Sequence, residues 1–226
     1  MNQDQIKQLN EAVEAVKTRK IENVYFVACG GSKAIFDPAQ FIFDRETTLP
    51  SFVYNANEFI HRCPKGLGEN SLVVTCSHSG NTLETTRATQ LAGDKGALTI
   101  SFSYRVDSPL WKATQHPISY VWGPESDPGD NNNGMLYRLV FSILNVLQPN
   151  EKYERAIKAC DNLGKVYEAN KAKFAESAKA FGKKYKNNKL IYTMSSGPCY
   201  GVAYSFAICL LQEMQWIRGY QVMRRS

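Results

Sequence analysis

The sequence predicts an α/β architecture, three αβα layers with a central parallel sheet, and two features predict it. Continuous apolar runs of strand length alternate with segments of helical period. Two of those runs end in turns of small residues, Cys29-Gly30-Gly31-Ser32 and Ser77-His78-Ser79-Gly80-Asn81-Thr82. A strand that is apolar at successive positions needs cover on both faces, which a parallel sheet between helix layers provides.

Residues 3–20 place Ile6, Leu9, Ala12, Val13 and Val16 on one helical face. Val24 to Ala28 is the first buried strand, and 33–43 reads as a helix. A second strand follows at 51–55 and a short helix at 56–61. The run at 71–76 is a third strand, with a helix from about 83 to 93. Strands are expected again at 96–103 and 116–122. Residues 123–134, GPESDPGDNNNG, are loop by composition, and 135–147 is an apolar helix. From 150 to 186 the chain favours helix and is rich in lysine; Ala156, Leu163, Val166, Phe174 and Phe181 are expected to supply its contacts. The segment from 190 then repeats the first motif in outline, an apolar strand running into Ser195-Ser196-Gly197-Pro198 and a helix over 202–216. The expected organisation is a first unit over 1–149, connecting helices over 150–187, and an incomplete second unit over 188–226.

Composition narrows the function classes. Of 226 residues, 43% are hydrophobic and 21% charged, an ordinary globular balance. No apolar run is long enough to span a bilayer, and the polar start lacks the apolar core of a signal peptide. A cytoplasmic protein that does not engage the membrane is therefore expected. The net charge of +6 sits partly in the lysine-rich segment and partly in a basic tail with Arg218, Arg224 and Arg225. Without aromatic–basic interleaving or a nucleic-acid motif, that reads as solvated surface, and no nucleic-acid partner is expected. The six cysteines form no C-x-x-C pair and the three histidines no ligand spacing, so buried free thiols are expected and no metal or other cofactor.

The turns carry the chemistry. A parallel strand delivers its last residue beside the N-terminus of the next helix, where unpaired amides and the helix dipole favour an anion. Ser77, Ser79 and Thr82 add three hydroxyls within six residues, Gly80 allows close backbone approach, and Asn81 adds no negative charge. A phosphate monoester suits this donor set. Ser79 or Thr82 could equally serve as a plain helix cap. The companion turn Gly30-Gly31-Ser32, at a neighbouring strand end, favours a shared anion pocket over a cap. It lacks the G-x-G-x-x-G spacing of a dinucleotide site.

These residues carry a resemblance. YFVACGGS followed by VVTCSHSGNTLET resembles the sugar isomerase (SIS) family, whose hallmark Ser-x-Ser-Gly-x-Thr stands here as SHSGNT. GALTISFSYRVDSPL and LIYTMSSGPCYGVAYSFAICLLQEMQWI are similar to its fructoselysine (fructosamine) 6-phosphate deglycase branch. The resemblance implies phosphate contacts from Ser32, Ser77, Ser79 and Thr82, and substrate contacts from Gly31, His78, Gly80 and Asn132. It also implies a catalytic carboxylate at Glu213, which moves a proton between C1 and C2 of an opened sugar. Burial among Leu210, Leu211, Met214 and Trp216 is expected to tune that carboxylate as a general base. The implied substrate is a phosphorylated sugar or sugar–amine conjugate, the products glucose 6-phosphate and an amine, and the assembly a homodimer. Relatives continue into Gly-Glu-Phe-x-His-Gly, whose histidine assists ring opening; here RGYQVMRRS follows instead, so a truncated second unit of doubtful catalytic power is expected.

Three alternatives stand beside the deglycase: an aldose–ketose isomerase acting on the sugar phosphate, a non-catalytic phosphosugar-binding module, and a remnant of the fold with no ligand. Glu58 and His61 read as surface groups that could border the pocket, and Asn131 to Asn133 as neighbours of the sugar.

Overall fold

The computed structural model describes residues 1–124 and 126–223. Five strands, β1 (Asn23–Ala28), β2 (Ser51–Asn55), β3 (Ser71–Cys76), β4 (Leu98–Ser103) and β5 (His116–Ser119), form one sheet in the order β2-β1-β3-β4-β5. Every pairing is parallel. The chain goes from β1 outward to β2, then returns to place β3 on the other side of β1. Such a reversal opens a crevice at the carboxyl ends of the two central strands.

The pleat sorts side chains between two layers. Val24, Phe26 and Ala28 of β1, with Leu72, Val74 and Cys76 of β3, pack into the larger core. That core also takes residues from α1 (Gln3–Lys17), α3 (Phe36–Glu46), α7 (Asn132–Leu147) and α8 (Glu151–Ala159). Alternate residues Tyr25, Val27 and Val73 face the other way, onto Ala56 and Phe59 of α4 (Ala56–Arg62) and Ala88 and Ala92 of α5 (Leu83–Asp94). This side needs small residues: a central strand covered by alanines lets α5 lie close to the sheet.

Several boundaries differ from those the sequence predicts. The helix expected at 33–43 is two: α2 (Gly30–Ala34), which takes in the glycine turn itself, and α3. The strand expected over 116–122 stops at Ser119, and α7 starts at Asn132, because Asn131 caps it by accepting from the amides of Asn133 and Gly134. Within the expected loop, Pro128–Asp130 forms a 3-10 turn. A short α6 (Pro109–Ala113) is capped by Ser108.

The connecting segment is a helix pair, α8 and α9 (Leu163–Tyr185). Ala156 and Leu163 are half-buried, but Val166, Phe174 and Phe181 are exposed, so α9 does not make the apolar contacts expected of them. Tyr167, Phe174 and Phe181 share one face of the helix, but that face stays uncovered within the described residues.

In the second unit, β6 (Leu190–Ser195) is followed by α10 (Tyr200–Tyr204), which runs on into a π-helical stretch, Ser205–Met214. A strand absent from the sequence reading, β7 (Arg218–Met223), pairs with β6 in parallel. Arg224 and Arg225, read as part of a basic tail, lie outside the described residues. The unit docks on the first through Gly201, where a Cβ would collide with the Ala34 carbonyl oxygen and crowd Pro38. Its sheet leaves Leu190, Tyr192, Met194, Tyr220 and Val222 exposed.

Candidate functional site

Period-two alternation extends beyond β3 into the turn. Thr75 belongs to the α5 side, where its Oγ1 lies 3.0 Å from Thr89 Oγ1 and 2.6 Å from Ser101 Oγ. Ser77 follows two residues on, buried, with its Oγ 2.9 Å from Thr82 Oγ1. Thr82 occupies the N-cap position of α5, yet its hydroxyl makes no cap bond. Ser79 Oγ accepts from the Asn81 amide at 3.2 Å, inside the turn. The helix-cap alternative therefore fails for both residues. The first-turn amides of α5 have no side-chain cap and keep their positive potential at the rim of the sheet. Glu84, the acidic residue in that turn, is exposed.

Gly80 fixes the shape of the turn. Its φ is +67°, and a Cβ there would overlap Ser108 and lie 2.9 Å from Ser103 Oγ. The Leu110 amide donates to the Gly80 carbonyl at 3.0 Å, and Ser108 Oγ accepts from the Trp111 amide at 3.3 Å. The start of α6 thus buttresses the turn from behind. Ser103 and Ser108 were not singled out from the sequence, although Ser108-Pro109 is a legible helix start.

The companion turn adjoins. Ser32 lies in α2, with its hydroxyl near the Cys76 thiol that precedes Ser77. Burial pushes that thiol up to about 12, and the nearby Ser32 hydroxyl offsets part of the rise. The structure therefore brings Ser32, Ser77, Ser79 and Thr82 to one rim, with Gly31 and Gly80 in the two turns.

His78 is placed differently from a simple ligand side chain. Its Nδ1 is 2.9 Å from the Tyr120 hydroxyl, and its ring stacks on Tyr104 with centroids 5.1 Å apart and planes 4° from parallel. Trp122 meets it edge-on at 5.1 Å. Burial, then the positive charge of Arg105, holds the imidazole below its usual pKa. Asn132 lies in the first turn of α7, where its Oδ1 accepts from the Asn133 amide at 3.0 Å. Glu58 and His61 are exposed on α4, with Glu58 paired to Arg62 at 2.6 Å.

Glu213 is the last residue but one of the π-helical stretch. The same stretch places Cys209 Sγ 3.8 Å from where a Cβ on Gly31 would lie. Burial, then the Glu213 carboxylate, raises the Cys209 thiol. The helix that carries Glu213 therefore packs on the first turn. Glu213 itself is exposed, so the apolar enclosure expected around it is not formed by these residues; Ala207 and Leu211 of the same stretch pack instead on Gly219 of β7. All six cysteines are free. Cys76 and Cys160 are buried and Cys29, Cys63 and Cys209 half-buried, whereas Cys199 is exposed at the docking turn, contrary to expectation. Among the described residues no cluster of three metal-ligating side chains occurs, and no helix is long and apolar enough to cross a membrane.

With this geometry in place, the family can be assigned, because the SIS domain model matches residues 17–147, more than half of the chain. The chain belongs to the SIS domain family. It is 46% identical over 96% of its length to fructosamine deglycase FrlB of Bacillus subtilis, and 28% identical over 92% to fructoselysine 6-phosphate deglycase of Escherichia coli. It spans 66% and 60% of the length of those relatives. Among solved structures, a provisional phosphosugar isomerase from Salmonella typhimurium superposes with a TM-score of 0.93 at 33% identity, covering 99% of this chain and 68% of that one. The SIS hallmark therefore sits at the switch point of a SIS fold.

Two outcomes test the site's physics. Gly80→Ala forces a side chain into a left-handed backbone and against Ser108, and should cost about 2–4 kcal/mol in urea unfolding; a loss below about 1 kcal/mol would mean that the turn adapts freely. For Cys76, the ordinary thiol value is 9.0 and the folded value about 12, so the unfolded chain releases its proton first as pH rises. The thiol's contribution is complete below pH 9 and is lost towards pH 12, at up to about 1.4 kcal/mol per pH unit. Cys76→Ala should flatten that slope when urea midpoints are compared across this range.

Proposed function

We propose that the chain supplies the phosphosugar site of a ketosamine 6-phosphate deglycase. One observation carries this reading: Ser77 and Thr82 hydroxyls sit paired beside the uncapped α5 N-terminus, and Ser32 follows the neighbouring strand end, where Ala28 of β1 pairs with Cys76 of β3. An anion there meets hydroxyl donors and backbone amides without a nearby basic side chain having to be desolvated. The deglycase names of two relatives support the choice of substrate class.

In this reading the phosphate of a fructosamine 6-phosphate settles on Ser32, Ser77, Ser79 and Thr82, close to the Gly31 and Gly80 backbone, with His78 and Asn132 bordering the sugar. Glu213 takes a proton from C1 of the open chain and returns it at C2. The C2 oxygen takes the proton that the amine nitrogen gives up, so the C2 carbonyl becomes a hydroxyl and the C1–N bond an imine. Water then hydrolyses the imine, leaving glucose 6-phosphate and the free amine. Aldose–ketose isomerisation uses the same proton transfer, and the turns alone would serve a non-catalytic phosphosugar binder. No observation favours either over the deglycase. Glu213 requires cover to act as a base near neutral pH, because an exposed carboxylate is too weak a base.

Thermal unfolding titrated with glucose 6-phosphate and fructose 6-phosphate checks the reading. The midpoint should rise with the logarithm of ligand concentration. Ser77→Ala should abolish the rise and Glu213→Gln should keep it. Equal loss in both variants, or no rise in the parent protein, would overturn it.

We further propose a homodimer in the cytoplasm. The exposed apolar rows of β6–β7 and the aromatic side chains along α9 form surface that a second copy would cover. Sedimentation velocity should give twice the chain mass; a single species at the monomer mass, up to about 100 μM, would refute the dimer.

A further inference from the structure

Tyr120 directly follows β5 and is 3% exposed, with its ring in the larger core. A phenol buried this far needs a protein partner for its hydroxyl. Among the described residues that partner is Nδ1 of His78, 2.9 Å away. Burial holds the phenol above its ordinary range, so the hydroxyl keeps its proton. It has one proton to give, and Nδ1 is where that proton can go. Nδ1 is then the unprotonated, accepting nitrogen, and the neutral imidazole carries its hydrogen on Nε2. Nε2 has no hydrogen-bond partner among the described residues, and the His78 side chain is exposed.

The end of β4 holds the same residue. The Tyr104 amide donates to the His78 carbonyl oxygen at 3.1 Å, and the Tyr104 ring lies against the imidazole with planes 4° apart. Trp122 meets it edge-on. Stacking fixes the plane of the imidazole but not its sense. A half-turn about Cβ–Cγ keeps the plane, yet exchanges Nδ1 with Cδ2 and Nε2 with Cε1. Among these contacts only the Tyr120 hydroxyl tells the two apart. The same contact opposes protonation. A hydrogen on Nδ1 would face the tyrosine's own O–H and leave that buried hydroxyl without an acceptor. The charged and titratable groups around the ring are Arg105, whose cation also opposes protonation, and the phenols of Tyr104 and Tyr120.

We infer that Tyr120 is a positioning residue for the phosphosugar site: it fixes His78 as a neutral donor whose Nε2–H serves an oxygen of the bound sugar. The inference rests on the phosphosugar reading above and adds a residue that sets the chemistry of the same turn. His78 stands between Ser77 and Ser79, so its donor belongs to the phosphate end of the sugar. A sugar oxygen accepts from a neutral N–H without the cost of stripping water from an imidazolium.

Nitrogen NMR of the isotope-labelled intact chain at neutral pH should show His78 with Nδ1 unprotonated and Nε2 bearing the hydrogen. Tyr120→Phe should raise the His78 titration midpoint by about 0.4–1 pH unit and weaken fructose 6-phosphate about two- to tenfold in calorimetric titration. His78→Gln, whose amide N–H reaches as far as Nε2, should bind the sugar phosphate like the parent. His78→Asn reaches only the Nδ1 position and should lose as much affinity as His78→Ala. A histidine that merely supports the fold does not separate Gln from Asn. If fructose 6-phosphate binds but Nδ1 carries the hydrogen, or the Gln and Asn variants bind alike, or Tyr120→Phe moves neither midpoint nor affinity, the inference is wrong and the phosphosugar reading stands. If fructose 6-phosphate does not bind the parent chain, both fall together.

Discussion

The rim depends on the close approach of residue 80 to Ser108. The backbone there is left-handed, a Cβ has no room, and the Gly80 carbonyl is held by the Leu110 amide. That contact sets the path of the six-residue turn. It thereby decides that Ser77 and Thr82 face each other and that α5 begins with no side-chain cap. A cap hydroxyl would satisfy the same amides permanently. Turning Thr82 to Ser77 instead leaves positive potential where an anion can reach it, at the cost of one local bond. The hydroxyl chain below, Thr75 with Thr89 and Ser101, is buried and mutually satisfied, so the turn stands on a rigid polar base rather than on solvent.

The sequence shows this much because its signals there are local and agree with one another. Continuous apolar runs, small-residue turns and helical periods all point to one parallel sheet, and the strands appear within a few residues of where the pattern puts them. Ser32, Ser77, Ser79 and Thr82 are legible because they follow strand ends. The buttress is less legible, since Ser103 and Ser108 matter only through a contact between distant segments. β7 is missed for a different reason. Arg218, Gly219 and Gln221 interrupt its apolar pattern, and its pairing with β6 is a long-range choice that no short window contains. The apolar residues of α9 mislead in the opposite sense. Phe174 and Phe181 share a helix face with Tyr167, the spacing of contact residues, but no element among the described residues of this chain covers that face.

The two units stand in contrast, and the contrast bears on where chemistry can occur. The first has a five-stranded sheet closed by helices on both faces, so its turns are preorganised. The second has two strands, a helix wound partly as π, and one apolar sheet face in the open. Its hold on the first unit includes two close packing points, Gly201 on Ala34 and Cys209 on Gly31, and both lie at the glycine turn. The helix carrying Glu213 thus packs both on the glycine turn, at Gly31, and on its own sheet, where Ala207 and Leu211 meet Gly219. What this arrangement does not supply is dryness around Glu213. A general base gains strength when water is excluded from it, and here that exclusion has to come from whatever covers the outer side of the π-helical stretch. In the proposed function, phosphosugar binding and proton transfer therefore have separate structural requirements: the first calls on the turns of the SIS domain, and the second on those turns together with a cover over Glu213.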